Sequence, residues 1–225
     1  MQHHWLSKLE DNKKLIIFFN GFGFDYKPFE FLNCQGFDVL VFSDYRDLDL
    51  RINLKSDLKN YDEINLIGWS MGVLIAFLLR DELPEIARKI AINGTIKPVD
   101  NRLGIPKKVF ELSVNQAKIG FDDKFYDYTY DSEVDYARYK QNPILRSLKD
   151  CATELLFLDE LVKNTKIDYE TFYDKALVSS LDTIMPAKNQ INFHNQNNIP
   201  YLELECGHFP YYNFKNWDEI IKLCK

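Results

Sequence analysis

The sequence predicts an α/β fold with a mostly parallel sheet flanked by helices. Short apolar runs such as 15–19 and 64–67 end abruptly in glycine or polar residues. Such runs are typical of strands that are buried on both faces of a parallel sheet. Helix-like stretches separate the runs, so strand and helix alternate along the chain. Hydrophobic residues make up 46% of the 225 residues, which is enough to bury a sizeable core in a single domain.

The strands can be placed in order from the apolar runs alone. Four fall in the N-terminal half and two near the C-terminus, at 15–19, 38–42, 64–67, 89–92, 176–181 and 200–205. Helices are expected at 26–32, 51–60, 71–82 and 217–225. The first eleven residues are polar and are expected to form a mobile terminus, in which His3 and His4 are not expected to bind a metal.

Residues 97–170 differ from the rest because they contain no clear buried strand. A helix is expected over 107–118, and the pair Asn142-Pro143 is typical of the start of another helix. Apolar residues then recur on one stripe of that second helix. We therefore predict a helical lid inserted at 97–170 into a core formed by residues 1–96 and 171–225.

The composition argues against several functional classes. A formal net charge of -6 disfavours a nucleic-acid-binding surface, because such surfaces are strongly basic. No signal peptide is expected at the N-terminus, and no apolar run is long enough to predict a membrane span. The four cysteines are far apart and form no CxxC pair, so we expect free thiols in the cytoplasm rather than a zinc or redox motif.

The most informative motif is Gly68-Trp69-Ser70-Met71-Gly72, which fits the pattern G-x-S-x-G. An apolar strand is predicted before it and an apolar helix after it, which is the context of a nucleophile elbow. In such an elbow the serine occupies a strained turn, and the helix N-terminus offers N–H groups to developing negative charge. A tight turn with a surface serine is the alternative. The context favours Ser70 as a nucleophile.

A nucleophilic serine needs a base, and His208 is the best placed of the four histidines. It follows the last predicted strand, at the carboxyl edge of the sheet where α/β proteins place their active sites. A structural histidine in a loop is the alternative. His194 lies in a polar stretch and is expected to be exposed to solvent.

The base in turn needs a carboxylate that fixes its tautomer. Asp182 comes directly after the strand predicted at 176–181, whereas the rival residues Asp168 and Asp174 both precede that strand. An acidic cap of the following helix is the alternative role for Asp182. The chain order Ser70, Asp182, His208 is that of the α/β-hydrolase fold.

The tetrahedral intermediate of ester hydrolysis needs two N–H donors, together called the oxyanion hole. One is predicted to be the backbone N–H of Met71, the residue after the nucleophile. The other is predicted to be the backbone N–H of Phe22, in the loop that follows the first strand. A plain glycine turn is the alternative interpretation of that loop.

The chain resembles the BioG type of pimeloyl-acyl-carrier-protein methyl ester esterase over nearly its whole length. The resemblance lies in residues 18–23 and 68–72 and, more specifically, in Asn93-Gly94-Thr95 and Gly104-Ile105-Pro106. It implies an enzyme of biotin synthesis that removes a methyl group from the pimeloyl ester while the acyl chain stays on its carrier. No metal or organic cofactor is expected. Asn20 stands where many hydrolases have histidine.

Because acyl carrier proteins are acidic, the resemblance also implies a basic docking patch. The insertion offers four cations for it, Arg138, Lys140, Arg146 and Lys149. Arg146 and Lys149 are three residues apart, on one face near the N-terminus of the predicted helix. There the helix dipole disfavours each cation by roughly 0.3–1 kcal/mol. A role in binding the carrier would explain why two cations occur at this unfavourable position. A solvated charged face is the alternative.

Two other functions stay open at this point. A thioesterase or a general carboxylesterase would use the same three residues, and the choice depends on how the lid orients the acyl chain. A non-catalytic module that binds an acyl carrier could also have this fold, but it would have no reason to keep an intact triad.

Overall fold

The computed structural model of the chain describes residues 1–167 and 171–224. Within these residues, seven strands form one sheet. They are β1 (Gln2–Ser7), β2 (Lys14–Phe19), β3 (Asp38–Ser43), β4 (Glu63–Trp69), β5 (Arg88–Ile92), β6 (Lys175–Ser179) and β7 (Tyr201–Leu204). Their order across the sheet is β1-β3-β2-β4-β5-β6-β7. Strand β1 is antiparallel to β3, and the other neighbours are parallel.

The burial of β2 explains why its sequence is continuously apolar. Leu15, Ile17 and Phe19 pack into the core on one face of the sheet, and Ile16 and Phe18 into the core on the other face. A strand covered on both sides has no position that favours a polar side chain. The apolar runs therefore predicted β2 to β7 correctly, and the mostly parallel α/β sheet is confirmed.

The predicted mobile terminus is wrong, because residues 2–7 form the edge strand β1. Gln2 pairs with Ser43 and Trp5 with Leu40 of β3. Met1 is buried, and its amino group is paired with Asp47. An antiparallel edge strand can face water on one side, so its sequence carries no continuous apolar run.

The helices flank the sheet or belong to the segment of the chain that connects β5 to β6. The described residues form α1 (Leu54–Asp57), α2 (Met71–Leu78), α3 (Lys107–Ile119), α4 (Lys124–Asp127), α5 (Glu133–Gln141), α6 (Leu148–Asn164), α7 (Ala187–Gln196) and α8 (Trp217–Leu223). Helices α3 to α6 all belong to the segment predicted as an insertion. No helix in the described part of the chain is both long and apolar enough to cross a membrane.

The start predicted for the second helix of the insertion is wrong. Helix α6 begins at Leu148, and the Ser147 side chain caps it by accepting a hydrogen bond from Asp150 N at 3.1 Å. Asn142 instead ends α5, and its side-chain amide donates to Lys27 O at 2.7 Å. The stretch between α5 and α6 is therefore not helical, and Arg146 lies within it.

Candidate active site

Ser70 lies in the sharp turn between β4 and α2. Its backbone angles, φ 55° and ψ -123°, are strained for a residue with a side chain. The turn brings the first residues of α2 against the end of β2, where a Cβ on Gly72 would lie 2.1 Å from Phe19 O. A Cβ on Gly68 would lie 2.6 Å from the Tyr173 hydroxyl. Glycine at both positions therefore permits the elbow.

The structure brings the three predicted residues of the triad together. His208 lies in the loop after β7, and its Nε2 is 2.9 Å from Ser70 Oγ. On the other side of the ring, His208 Nδ1 is 2.7 Å from Asp182 Oδ2. All three side chains are almost completely buried. The ring can accept the Ser70 proton at Nε2 while its Nδ1–H donates to Asp182.

Asp182 is fixed by four hydrogen bonds. Its Oδ1 accepts from Ile184 N and Met185 N, each at 2.9 Å. Its Oδ2 accepts from His208 Nδ1 and from the Gln190 side chain, the latter at 2.9 Å. All of these contacts use the carboxylate as an acceptor, which is the form that orients an N–H donor. Sequence reasoning missed Gln190, which reaches Asp182 from the buried face of α7.

The rivals of Asp182 are not placed beside His208. Asp174 directly precedes β6, at the amino end of that strand, where it accepts from Lys89 N at 2.7 Å. Asp168 lies outside the described residues. Among the carboxylates that the structure describes, Asp182 is the one hydrogen-bonded to His208.

The backbone of His208 is held by two side chains. Its carbonyl oxygen accepts from Trp69 Nε1 and from Asn93 Nδ2, each at 2.9 Å. Asn93 has φ 45° at the end of β5, and its side chain also bonds Ser179 N and Ser179 Oγ at 2.7 Å. The sequence signals for Asn93 were its position directly after a buried strand and its place in the Asn93-Gly94-Thr95 segment of the family resemblance, but the position of its partner was not predictable.

The two predicted oxyanion donors lie beside Ser70 in the same cavity wall. Across the described ranges, no atom accepts a hydrogen bond from the backbone N–H of Phe22 or of Met71. The loop that carries Phe22 is shaped by Asn20, whose Oδ1 accepts from Gly21 N and whose Nδ2 donates to Asp25 O, both at 2.8 Å. Asn20 is thus a buried residue that fixes the loop, and both N–H groups are free to bind a ligand oxygen.

Ser70 opens onto a cavity of about 660 Å³ with mostly apolar walls. The loops of the sheet and the segment between β5 and β6 both contribute, through Phe22, Met71, Ile105, Phe110, Phe121, Leu155 and Ile184. A cavity of this size lies in the range of about 300–1,000 Å³ that small-molecule sites occupy. Lys124 and Asp122 add a cation and an anion to the lining. The arrangement can hold an apolar chain with its reactive end at Ser70.

The four predicted docking cations divide into two kinds. Arg138, Lys140 and Lys149 are exposed, and the Arg138 guanidinium lies 4.0 Å from the centre of the Tyr212 ring. Arg146 is different, because its side chain is only 7% exposed and pairs with Glu154 at 2.5 Å. The prediction that Arg146 lies on one helical face with Lys149 in a docking patch is wrong, because Arg146 precedes α6 and its charge is paired inside the protein with Asp44 and Glu154.

The prediction that His194 is exposed is also wrong. His194 lies on α7 and is 1% exposed, and neither ring nitrogen has a partner within the described residues. Burial lowers its pKa to about 4, so the ring is neutral near pH 7. The polar composition of α7 concealed its burial, because Asn189 and Gln190 on the same helix are also buried, where their side-chain amide N–H groups donate to Gly104 O and Met185 O.

Together, the parallel sheet, the elbow at Ser70 and the cavity beside it define an α/β hydrolase. The chain belongs to the family of BioG, the pimeloyl-ACP methyl esterase, because the model of that family matches residues 1–220. A crystal structure of BioG from Haemophilus influenzae is 26% identical to it. The alignment covers 97% of this chain and 99% of that one, with a TM-score of 0.85.

Two further similarities are more limited. The chain is 31% identical over 180 residues, 79% of its length, to a malonyl-[acyl-carrier protein] O-methyltransferase from Bacteroides fragilis (strain 638R). It spans only 36% of the length of that relative. An esterase from Exiguobacterium antarcticum shares the fold at 16% identity and a TM-score of 0.64, with 99% of this chain and 91% of that chain covered.

Proposed function

We propose that this chain hydrolyses the methyl ester of pimeloyl-acyl-carrier protein, with Ser70 as nucleophile, and so serves biotin biosynthesis. The observation that carries the proposal is the contact of 2.9 Å between His208 Nε2 and Ser70 Oγ at the wall of an apolar cavity. Family membership supports the substrate, and the apolar lining suits an acyl chain with its ester next to Ser70.

The proposed reaction has two halves. Ser70 Oγ attacks the ester carbonyl carbon as its proton passes to His208 Nε2, and the π electrons move to the carbonyl oxygen. The N–H groups of Phe22 and Met71 stabilise that oxyanion. When the carbonyl re-forms, methoxide leaves and takes the proton from His208 as methanol. Water, deprotonated by His208, then cleaves the acyl-enzyme to a carboxylic acid and restores Ser70, while Asp182 orients the ring throughout.

The carrier-protein part of the proposal has its own support. The relative from Bacteroides fragilis is named for methyl transfer to malonyl-acyl-carrier protein. Such a transfer forms a methyl ester on a carrier-bound acid, and the hydrolysis proposed here would remove one. The exposed Arg138, Lys140 and Lys149 are the proposed contacts for the acidic carrier, whereas Arg146 is withdrawn from that set because it is buried.

The test is to incubate the protein with carrier-bound pimeloyl methyl ester and to weigh the carrier by mass spectrometry. The proposal expects a carrier that has lost one CH₂ unit and still bears the acyl chain, with methanol released. A free carrier thiol would indicate a thioesterase instead. No change in mass would favour a non-catalytic module. The Ser70→Ala variant, which should leave the substrate intact, excludes a contaminating hydrolase.

A further inference from the structure

The loop that carries the Phe22 N–H is held by side chains of the helical segment between β5 and β6. Its next residue, Gly23, donates its backbone N–H to Glu154 Oε2 at 3.2 Å. The carbonyl oxygen of Gly23 accepts from the Tyr126 hydroxyl at 2.9 Å. Glu154 lies on α6 and Tyr126 on α4, so both contacts come from the segment between β5 and β6.

Glu154 joins this loop to a second one. Its other oxygen, Oε1, accepts from Tyr45 N at 2.9 Å, just after β3. The Tyr45 hydroxyl in turn donates to Asn20 O at 2.7 Å, at the start of the loop that carries Phe22. Glu154 is completely buried. One carboxylate therefore ties the ends of two neighbouring strands to the helical insertion.

A buried negative charge this close to an oxyanion hole would oppose catalysis if it were not compensated. Burial raises the pKa of the Glu154 carboxyl, and the charge of Arg146 and two backbone N–H donors oppose that shift. Arg146 contacts Glu154 at 2.5 Å and Asp44 at 3.1 Å, which fixes the guanidinium between two buried carboxylates. Arg146 thus supplies the compensating charge.

We propose that Glu154, paired with Arg146, is a positioning residue that fixes the Gly23 backbone and thereby aims the neighbouring Phe22 N–H at the oxyanion, with Tyr126 holding the same backbone from the other side. This inference rests on the proposed esterase function. It gives the insertion a part in transition-state stabilisation in addition to its contribution to the cavity wall.

The central test is Glu154→Gln, assayed on a small soluble methyl ester. Glutamine keeps the shape of the side chain, but its amide group cannot accept from both backbone donors and does not compensate Arg146. We expect kcat to fall about ten- to a hundredfold with KM nearly unchanged, because the donor is misplaced rather than removed. Affinity for a trifluoromethyl ketone, which forms an oxyanion on Ser70, should fall by the same factor.

The matched control is Glu160→Gln on the same helix. Glu160 is 68% exposed and lies 3.5 Å from Lys163, so its kcat and inhibitor affinity should match those of the parent. Thermal unfolding followed by circular dichroism identifies a variant that does not fold. If Glu154→Gln does not fold, Tyr126→Phe becomes the test of the inference, because this variant removes only the hydroxyl group that donates to Gly23 O. It should then show a smaller, parallel loss of kcat and inhibitor affinity.

Two results would overturn the inference while leaving the proposed function intact. One is a folded Glu154→Gln enzyme with the parental kcat. The other is a loss of kcat without a matching loss of inhibitor affinity, in either Glu154→Gln or Tyr126→Phe. A parent that hydrolyses no ester in a Ser70-dependent way would overturn the proposed function, and this inference with it.

Discussion

The α/β core and the helical segment between β5 and β6, which we propose to be an insertion, hold the candidate site by different means. In the core, Ser70, Asp182 and His208 follow three parallel strands, and two side chains of the core itself, Trp69 and Asn93, hold the His208 backbone. The insertion acts through side chains that cross to the core, such as Glu154 at Gly23 N. Positions on strand ends are set by the sheet itself, whereas contacts across a boundary depend on every side chain that makes them. The proposed catalytic residues are thus placed mainly by the strand ends of the core, and the cavity around them by the packing of side chains.

The largest effects are expected for the proposed catalytic residues in the core. Ser70→Ala and His208→Ala should each lower kcat/KM by about 10⁴-fold or more, and the double variant should be little worse, because the two residues act as a unit. Hydrolysis of a small ester measures this. Ser56→Ala is the matched control, because Ser56 is exposed on α1 and should keep full activity. Residual activity of Ser70→Ala near the parental value would contradict the assignment.

The second effect concerns the stability of the core. Folded His194 stays neutral down to about pH 4, whereas the unfolded chain binds a proton below the ordinary pKa of 6.5. The free energy of unfolding is therefore highest above pH 6.5 and decreases as the pH falls toward 4. This one group lowers it by roughly 3 kcal/mol over that interval. Urea unfolding across this interval should show a smaller loss for His194→Phe. The exposed His3, replaced in the same way, should leave the loss unchanged.

A smaller effect should follow from loosening His208 without touching its ring. Asn93→Ala removes one of two donors to the His208 carbonyl and leaves Ser179 N without its acceptor. Displacements of a catalytic group can cost up to about 10²-fold, so we expect kcat to fall by ten- to a hundredfold. The control variant Asn195→Ala lies on the exposed side of α7 and should leave kcat unchanged. Equal activity of the two variants would show that Trp69 alone suffices to hold the loop.

The smallest effect is expected on the surface of the insertion. Reversing the charges of Arg138, Lys140 and Lys149 should raise KM for the carrier-bound ester by roughly tenfold and leave a small ester unaffected. Added salt should weaken the parent more than the variant, because exposed charges are screened over about 8 Å at physiological ionic strength. The comparison variant reverses the charge of Lys124, which lines the cavity and is not one of the three proposed docking residues. Equal loss on both esters would argue against a docking role.

Local rules on the chain predicted much of the core. The strands β2 to β7 and the spatial grouping of Ser70, Asp182 and His208 follow from apolar runs and from residues that directly succeed them. These signals need only a few neighbouring residues, because a strand buried on both faces constrains its own sequence. The edge strand β1 escaped prediction because solvent covers one of its sides.

Contacts between distant residues were not predictable in the same way. Glu154 meets Gly23 across 131 positions of sequence, and nothing local distinguishes it from the exposed Glu160 on the same helix. Arg146 looked like a surface charge because burial of an arginine depends on partners that only the fold brings near. His194 was misjudged for a similar reason, since a polar helix can still bury polar side chains when the fold supplies distant partners, as it does for Asn189 and Gln190.

Trp69 limits how this scaffold can be redesigned. Its ring packs against the space where Gly21 would carry a Cβ, at 2.8 Å, and its Nε1 bonds the His208 carbonyl. The variable position of the elbow is therefore committed to holding two other loops, and a library that randomises it would mostly yield damaged enzymes. Leu112 and Val109 also line the cavity, from α3, but they are exposed and do not hold two other loops in the way that Trp69 does. Directed evolution toward other acyl chains should begin there.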